Sequence, residues 1–446
     1  MSIMKIRNLT IKNFKCFSET ANVEFGKITL LTGANSSGKS SLIYSLLGLL
    51  QSSNSPITFS PNGKYVNMGD YKEVIYNHNL DLNLTINILC DDSDIKEIQT
   101  EWTIDKSNNQ PKLFALIVEH KDYTLYVKLN NKSRYHVTLK YNQKDQKKQE
   151  LFDTIYDILF KYTIDELPEK FKANIDEIKT KIIHTDFEVD DLLNISLLNT
   201  QKGRSKLTML IRSLINEFDH YKSSINYISS FRSQPERTNI ELNQYKSLVD
   251  VNGDGYLDQI LFWYTYRKDI FKVLKKTLKK IGLAHDIKAK RLTGGRYEID
   301  VKPTTSGVFA SLCDVGFGIP QVLPMVVADM QLGLASTLVV SQPEIHLHPS
   351  IQATLGDYFV EQTTLLDKNY VIETHSEYLL NRIRLNIVKG KISPEDVKIY
   401  HIANIDNHPK LYHLKFTEDG QILDAPKDFF ETYMLDVMNI AIESTR

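Results

Sequence analysis

Residues 33–40, GANSSGKS, carry the residue types that hold a chain of phosphates. They match the pattern G-x-x-x-x-G-K-[ST], in which the glycines let backbone N–H groups turn onto phosphate oxygens. The lysine of this pattern reaches the terminal phosphates, and the hydroxyl that follows it is a ligand for Mg²⁺. The motif therefore predicts a site for ATP with Mg²⁺, the metal being held by Ser40. We expect the nucleotide contacts to come from Gly33, Asn35, Ser36, Ser37, Gly38, Lys39, Ser40 and Ser41.

The sequence on either side of this loop supplies the elements that must position it. Residues 28–32 form an apolar run typical of a buried strand, and residues 42–50 have the apolar character of a packed helix. A helix that starts at the loop directs its free N–H groups and its positive dipole end toward the phosphates. A chance turn of glycine and serine lacks these flanks, so we favour the phosphate-binding interpretation.

A second group of polar residues follows apolar runs much later in the chain. Residues 337–340 predict a strand that ends in a Ser-Gln pair, and residues 370–373 predict another that ends shortly before His375. Between the P-loop and these strands, residues 316–318 form a glycine-containing turn that precedes a helical pattern. This order of P-loop, glycine turn with helix, polar strand end and strand with histidine is typical of an ABC-type ATPase head.

These motifs resemble those of the RecF/SMC-like ABC ATPases, the group that includes the OLD proteins. The resemblance covers most of the chain and is closest to a bacterial AAA-family branch with EQPE-HLHP in place of DEPE-HLHP. Several such ATPases occur in anti-phage systems, including Septu-type and retron-associated ones, beside a nuclease or another toxic effector. The matching segments are IKNFKCF, LLTGANSSGKSSL, MGDYKEVI, YISSFRSQPER, DVGFGIPQVLP, QPEIHLHP, ETHSEYLLNRIR and FTEDGQILDAPKDFFE.

The resemblance implies an α/β fold, an ABC-type P-loop NTPase head with a mixed core sheet, flanking helices, an antiparallel β lobe and a short helical insertion. Residues 1–142 would be the N-terminal part of the head, residues 143–224 the helical insertion, and residues 225–446 the C-terminal part. The alternating apolar pattern of residues 82–139 independently predicts an antiparallel meander within the first part.

The resemblance also implies a nucleotide site shared between two copies of the chain. The heads would pair head-to-tail, as a homodimer or a larger homo-oligomer, so that the P-loop of one copy faces the glycine turn of the other. Across this pair the nucleotide would contact Asp314, Gly316, Phe317 and Gly318. By the same resemblance, His375 would contact the terminal phosphate or the attacking water.

The polar strand end departs from the family pattern. Ser341 occupies the position of the metal-coordinating aspartate, and Gln342 occupies that of the catalytic glutamate. Glutamine orients a water molecule but does not accept its proton as a carboxylate does. Glu344 is a candidate replacement, although a carboxylate that only stabilises the turn fits the sequence equally well. We therefore predict Gln342, Glu344 and His375 as the catalytic residues and expect slow hydrolysis, with a non-hydrolysing, ATP-held scaffold as the alternative. Pro320, in place of a small polar residue, is a further departure.

Composition gives little support for several other classes of protein. The formal net charge is −1, so only local patches would attract nucleic acid. The three cysteines are far apart, which supports neither a disulfide framework nor a zinc site. No apolar run reaches the roughly 20 residues of a membrane helix. We expect a cytoplasmic protein with no membrane partner.

The sequence leaves the biological role open between alternatives. We expect a sensor or regulatory scaffold in anti-phage defence whose nuclease or toxin effector is a separate chain. The alternative is a RecF/SMC-like DNA-repair ATPase, in which the basic run from Lys272 to Arg296 binds nucleic acid. A solvated helix face accounts for the same run without a ligand.

Three smaller features complete the candidate set. The run from Asp250 to Asp258 imitates the start of a calcium loop but lacks its final glutamate, so we expect a polar turn. His346 and His348 form an H-x-H pair that we expect to shape a loop, with a metal site as the weaker alternative. The segment FRSQPER contains Arg232 and Arg237, for which the sequence indicates no role.

Overall fold

The computed structural model describes residues 5–141, 184–189, 192, 202–241, 248–405, 408–426 and 429. The chain forms two compact units, residues 1–22 with 44–221 and residues 23–43 with 222–446. The strands are β1 (Lys5–Lys12), β2 (Ala21–Glu24), β3 (Ile28–Gly33), β4 (Leu84–Asp91), β5 (Ile95–Asp105), β6 (Gln110–His120), β7 (Tyr123–Leu129), β8 (Tyr135–Tyr141), β9 (His184–Val189), β10 (Ile225–Ile228), β11 (Asn239–Ile240), β12 (Asp286–Leu292), β13 (Arg296–Lys302), β14 (Ala310–Ser311), β15 (Thr337–Ser341), β16 (Asn369–Glu373), β17 (Val397–Ile405), β18 (His408–Phe416) and β19 (Ile422–Leu423). The helices are α1 (Lys39–Gln51), α2 (Tyr71–Val74), α3 (Lys202–Ser223), α4 (Tyr256–Tyr266), α5 (Lys268–Ile281), α6 (Gly318–Gln331), α7 (Pro349–Leu366) and α8 (Glu377–Val388).

The first unit is built mainly on an eight-stranded sheet with the order β2-β1-β4-β5-β6-β7-β8-β9. The pairings from β4 to β8 are antiparallel between consecutive strands, so the predicted meander is confirmed. In β4, Leu84, Ile86, Ile88 and Cys90 are buried while the residues between them are more exposed. This period of two is what a sheet with one covered face requires.

The second unit contains a seven-stranded mixed sheet with the order β10-β15-β16-β3-β17-β18-β19. The strands from β10 to β17 are parallel, whereas β18 and β19 are antiparallel to their neighbours. Every residue of β16 is buried, as expected for a parallel strand covered by helices on both faces. Parallel strands end at the same edge of a sheet, so β3, β15 and β16 bring Gly33, Ser341 and Glu373 together at that edge. The expected α/β fold with a mixed core sheet is confirmed.

The helices of the second unit are buried to different degrees. In α6, every residue from Ile319 to Asp329 is buried, which identifies a core helix rather than a surface helix. It tolerates Pro320 in its first turn and also contains Pro324. In α5 the apolar face consists of Phe271, Leu274, Leu278 and Ile281.

The expectation of a helical insertion needs qualification. The predicted helical insertion, residues 143–224, lies largely outside the described residues, but its described part contains the strand β9 as well as the helix α3. Because β9 pairs with β8, this segment extends the antiparallel sheet instead of being wholly helical. Among the described helices, none combines the length and apolar character needed to span a bilayer.

Candidate functional site

The phosphate-binding loop joins β3 to α1 through backbone conformations that suit few residue types. Gly33 (φ 135°), Ser36 (φ 60°) and Gly38 (φ 108°) all have positive φ. A Cβ atom on Gly33 would lie 2.2 Å from the carbonyl oxygen of Ile402 in β17, so a side chain does not fit there. The glycine therefore lets β3 pair closely with β17 at the point where the loop turns toward the start of α1.

Lys39 is held against this loop rather than extended into solvent. Its Nζ atom donates hydrogen bonds to the carbonyl oxygens of Gly33 (3.0 Å) and Ala34 (2.7 Å). Burial lowers the pKa of Lys39, whereas Glu373 and Glu344 act in the opposite direction. The ammonium group thus lies in a partly desolvated position between the loop and two carboxylates.

The hydroxyl of Ser40 lies beside a carboxylate that the sequence analysis did not single out. Ser40 Oγ donates to Glu373 at 3.1 Å from Oε1 and 3.2 Å from Oε2. Ser341 Oγ donates to the same carboxylate, 3.0 Å from Oε2. Glu373 therefore connects the P-loop serine with the residue that replaces the expected aspartate. The visible signal was a carboxylate at the end of the otherwise apolar run YVIE, but the sequence gives no indication of its distance from Ser40.

Glu344 is buried next to the strand ends and is only partly satisfied. Its Oε1 atom accepts a hydrogen bond from the backbone N–H of His375 (2.7 Å). No described residue provides a hydrogen bond to its Oε2 atom. Burial raises the pKa of Glu344 above its ordinary value. A carboxylate with a raised pKa and a free oxygen atom has the properties of a proton acceptor.

Gln342 and His375 follow the ends of β15 and β16, and the backbone N–H of His375 contacts this carboxylate. Gln342 has a left-handed backbone (φ 48°), and its N–H donates to the carbonyl oxygen of Glu373 at 2.6 Å. Partial burial and the nearby charge of Lys39 lower the pKa of His375 from 6.5, so the imidazole is neutral at pH 7. The two residues predicted to act on water and phosphate therefore lie at the same sheet edge as Glu344.

Arg232, for which the sequence indicated no role, stabilises the polar strand end from within the protein. It is buried, and its Nη2 and Nη1 atoms donate to the carbonyl oxygens of Ser341 (2.8 Å) and Gln342 (3.5 Å). Burial lowers its pKa to about 10, while the charge of Glu344 opposes that shift. The guanidinium group remains charged at pH 7 and holds the backbone from which Gln342 and Glu344 project.

Asp314 and the glycine turn of residues 316–318, together called the signature turn from here on, form a separate group. Phe317 precedes the first residue of α6 and is 61% exposed, and a Cβ atom on Gly316 would have no neighbour within 4 Å. Asp314 accepts two hydrogen bonds from Arg237, at 2.6 and 2.8 Å, and this arginine lowers the pKa of the carboxyl group. The expected ligand Asp314 is therefore an exposed ion-pair partner, while the glycine and phenylalanine of the turn remain accessible.

The histidines of the H-x-H pair have structural contacts. The ring of His346 lies 5.8 Å from that of Phe317, and Nδ1 of His348 caps α7 by accepting a hydrogen bond from the N–H of Ser350. Together with Gly318 and Ile319, these residues line a cavity of about 530 Å³ beside the signature turn. The contacts account for both histidines without a metal ion.

The basic run from Lys272 to Arg296 is partly neutralised by acidic partners. Five of its side chains form ion pairs of 2.5 to 3.4 Å, namely Lys275 with Asp286, Lys280 with Glu361, Lys288 with Asp300, Lys290 with Glu298, and Arg291 with Glu241. Such pairs reduce the positive potential available to a phosphate backbone. The run Asp250 to Asp258, by comparison, forms the turn before α4, as expected.

The predicted site residues consequently fall into two clusters within the second unit. The first combines the P-loop with the polar strand ends, including Gly33, Asn35, Ser36, Ser37, Gly38, Lys39, Ser40, Ser41, Ser341, Gln342, Glu344 and His375. The second contains Asp314, Gly316, Phe317 and Gly318 beside His346.

Comparison with known proteins gives one family match. Residues 4–380 match the sequence profile of the family described as AAA ATPase domain. No curated protein matches the chain in sequence.

Solved structures provide more distant similarities. One is an Smc head domain with an extended coiled coil, bound to the C-terminal domain of ScpA, from Pyrococcus furiosus, with 12% identity, complete coverage of both chains and a TM-score of 0.43. Another is the SMC head domain from Thermotoga maritima, with 10% identity, coverage of 91% of this chain and 98% of that chain, and a TM-score of 0.37.

Proposed function

Because the chain belongs to the AAA ATPase domain family, whose profile matches residues 4–380, we propose that it hydrolyses ATP slowly in a site completed by a second copy. The observation that carries this proposal is the position of Glu344. It lies at the sheet edge next to the P-loop and accepts a hydrogen bond from the backbone N–H of His375, while its other oxygen atom has no donor among the described residues.

The residues of the first cluster have different roles in ATP binding and hydrolysis. Lys39 moves from the carbonyl oxygens of its own loop to the terminal phosphates, which are the stronger hydrogen-bond acceptors. Gln342 orients the attacking water, and Glu344 accepts its proton. His375, which is neutral at pH 7, donates a hydrogen bond to the terminal phosphate or the water.

Mg²⁺ fits this cluster because hydroxyl and carboxylate oxygens meet at Ser40. When bound, the cation would neutralise charge on the phosphates. Ser40 is the hydroxyl ligand that the P-loop pattern provides.

Slow turnover is expected because Ser341 and Gln342 carry no carboxylate. Loss of a positioned general base typically costs about 10²- to 10⁴-fold in rate. Glu344 replaces that base from a position two residues farther along the chain, where burial raises its pKa. Slow turnover is better suited to a switch, which has to hold an ATP-bound state, than to a motor.

The second cluster is the surface that we assign to the partner copy. Gly316 and Phe317 are accessible, and they precede α6, whose positive dipole end favours a phosphate. Two copies related by a twofold axis would each present this turn to the other's P-loop.

For the biological role, we propose a sensor or regulatory scaffold in anti-phage defence that controls a separate nuclease or toxin. The support is the resemblance in sequence motifs to ATPases of such systems. The alternative role in DNA repair is disfavoured by the ion pairs of the basic run from Lys272 to Arg296. Phage plating on cells that carry the native locus tests the role. Protection should disappear with Lys39→Ala, and equal protection by wild type and variant would contradict the proposal.

ATP turnover by the purified chain tests the biochemical proposal. Lys39→Ala should abolish turnover, and Glu344→Gln should reduce it by about 10²- to 10⁴-fold while retaining ATP binding. Glu361→Gln is the matched control, because this carboxylate forms a surface ion pair with Lys280 and should leave the rate within about twofold of wild type. ATP binding without turnover in the wild type would identify a scaffold instead.

A further inference from the structure

We propose that Glu373 supplies the carboxylate for Mg²⁺ that the missing aspartate of β15 would otherwise supply. This inference rests on the proposed ATP site and assigns its metal ligand. In P-loop NTPases the cation is held by the P-loop hydroxyl and by an aspartate at the end of a neighbouring strand. Here that position is Ser341, and the carboxylate nearest to Ser40 is on the next strand.

The strand register explains how the carboxylate reaches the same place from another strand. Ser341 and Glu373 are paired positions on the parallel strands β15 and β16, and Glu373 is also paired with Leu31 of β3. Neighbouring strands lie about 4.8 Å apart, and glutamate is one methylene longer than aspartate. The longer side chain lets its oxygen atoms contact Ser40 and Ser341 together.

The surroundings of Glu373 suit a cation ligand better than a structural carboxylate. The side chain is 5% exposed, and the hydrogen bonds that described residues donate to its oxygen atoms come from the hydroxyls of Ser40 and Ser341. A buried carboxylate is costly unless a positive charge balances it. Lys39 is close enough to act on it electrostatically, yet the lysine's hydrogen bonds go to the P-loop. Mg²⁺ commonly takes one or two carboxylates together with phosphates and water.

The same geometry explains why position 341 carries a small hydroxyl group. An aspartate at 341 would place a second carboxylate against Glu373, and like charges at such a distance are strongly disfavoured. The serine instead donates a hydrogen bond to Glu373. Positions 341 and 373 therefore share one carboxylate between them. We expect a carboxylate at either position to serve as the ligand, provided that the other position is uncharged.

The test is the coupling between Mg²⁺ and nucleotide, measured by calorimetric titration of ADP in excess Mg²⁺ and in EDTA. The ratio of the two dissociation constants reports how much the metal strengthens nucleotide binding, without requiring turnover. Glu373→Gln should reduce this ratio on the order of 10- to 100-fold, as changes around metal ligands typically do. Glu361→Gln is the matched carboxylate control, because this residue forms a surface ion pair with Lys280, and it should leave the ratio unchanged. A wild-type ratio in Glu373→Gln would overturn the assignment.

The double variant Ser341→Asp with Glu373→Gln moves the carboxylate from position 373 to position 341. It should restore the Mg²⁺ coupling that is lost in Glu373→Gln alone. Continued loss in the double variant would count against the paired-position argument. A failure of the proposed hydrolysis mechanism would be distinguishable from a failure of the metal assignment. In that case Glu344→Gln would keep wild-type turnover, while the Mg²⁺ coupling of the wild type would still depend on Glu373.

A measurement on the wild-type protein removes any dependence on variant folding. Mn²⁺ and ADP are bound to protein labelled with ¹³C at either glutamate or aspartate carboxyl carbons, and the electron–nuclear coupling to Mn²⁺ is recorded. Coupling from labelled glutamate, and none from labelled aspartate, is the expected result. Coupling from aspartate, or none from glutamate, would overturn the proposal.

Discussion

Removal of one charge from the buried pair Asp329–Lys368 should destabilise the second unit selectively. The side chain of Asp329 is fully buried and that of Lys368 is 3% exposed, and their charged atoms lie 3.2 Å apart. The carboxylate also accepts hydrogen bonds from the hydroxyls of Tyr370 (2.9 Å) and Tyr358. This network joins the end of α6 to the start of β16, the strand that carries Glu373.

The size of the effect follows from the burial of both partners. Asp329→Asn keeps the volume but leaves the ammonium of Lys368 without its counter-charge, which typically costs about 3–5 kcal/mol. With a urea dependence of about 3 kcal/mol per M, the midpoint should fall by roughly 1–1.7 M. The double variant Asp329→Asn with Lys368→Met removes both charges and should recover much of that loss, because no unpaired charge stays buried.

The chain offers a separate fluorescent reporter for each unit. Its two tryptophans are Trp102 in the first unit and Trp263 in the second, and both are buried. Urea unfolding of Asp329→Asn should therefore be recorded in a Trp102→Phe background, which reports the second unit, and in a Trp263→Phe background, which reports the first. We expect the large shift of the urea midpoint in the Trp102→Phe background. A shift below about 0.3 M there would refute the reasoning, since such a value is typical of a surface change.

Three further predictions concern the nucleotide site. Because burial raises the pKa of Glu344, turnover should fall as the pH drops through a value above 4.5, since only the ionised carboxylate accepts a proton. A rate–pH profile of Glu344→Gln that keeps this acidic limb would contradict the assignment. Gly33→Ala should abolish ADP binding, since its Cβ would lie 2.2 Å from the carbonyl oxygen of Ile402, and calorimetric titration that finds wild-type affinity would be the opposite result. Asp314→Asn breaks an exposed ion pair with Arg237 and should leave the urea midpoint of unfolding close to that of wild type, so a clear fall of the midpoint would mean a structural role that the geometry does not indicate.

The sequence was informative where the determining pattern is local. The P-loop lies between a strand and a helix as expected, because its glycines and apolar flanks are contiguous in the chain. The strands that end at Ser341 and Glu373 were also predicted from their apolar runs. In the same way, the alternation of residues 82–139 was sufficient to predict the antiparallel meander.

The contacts that complete the site depend on pairing between strands far apart in sequence. Glu373 meets Ser40 and Ser341 because β16 lies between β15 and β3, an order that no local pattern specifies. Arg232 was left without a role for the same reason, since its acceptors are the carbonyl oxygens of a turn more than a hundred residues away. The charge of the basic run was visible in the sequence, but its acidic partners came mostly from other segments.

The composite site is tested most directly by mixing two inactive variants. Lys39→Ala disables the P-loop, whereas Gly316→Asp places a carboxylate in the signature turn, where a Cβ atom has no neighbour within 4 Å among the described residues. Each variant alone should lack turnover, because every site in a head-to-tail pair then has one defective half. In an equal mixture, half of the pairs would be mixed and each would contain one intact site, so about one quarter of wild-type turnover should return. A mixture as inactive as its two components would contradict a site shared between copies.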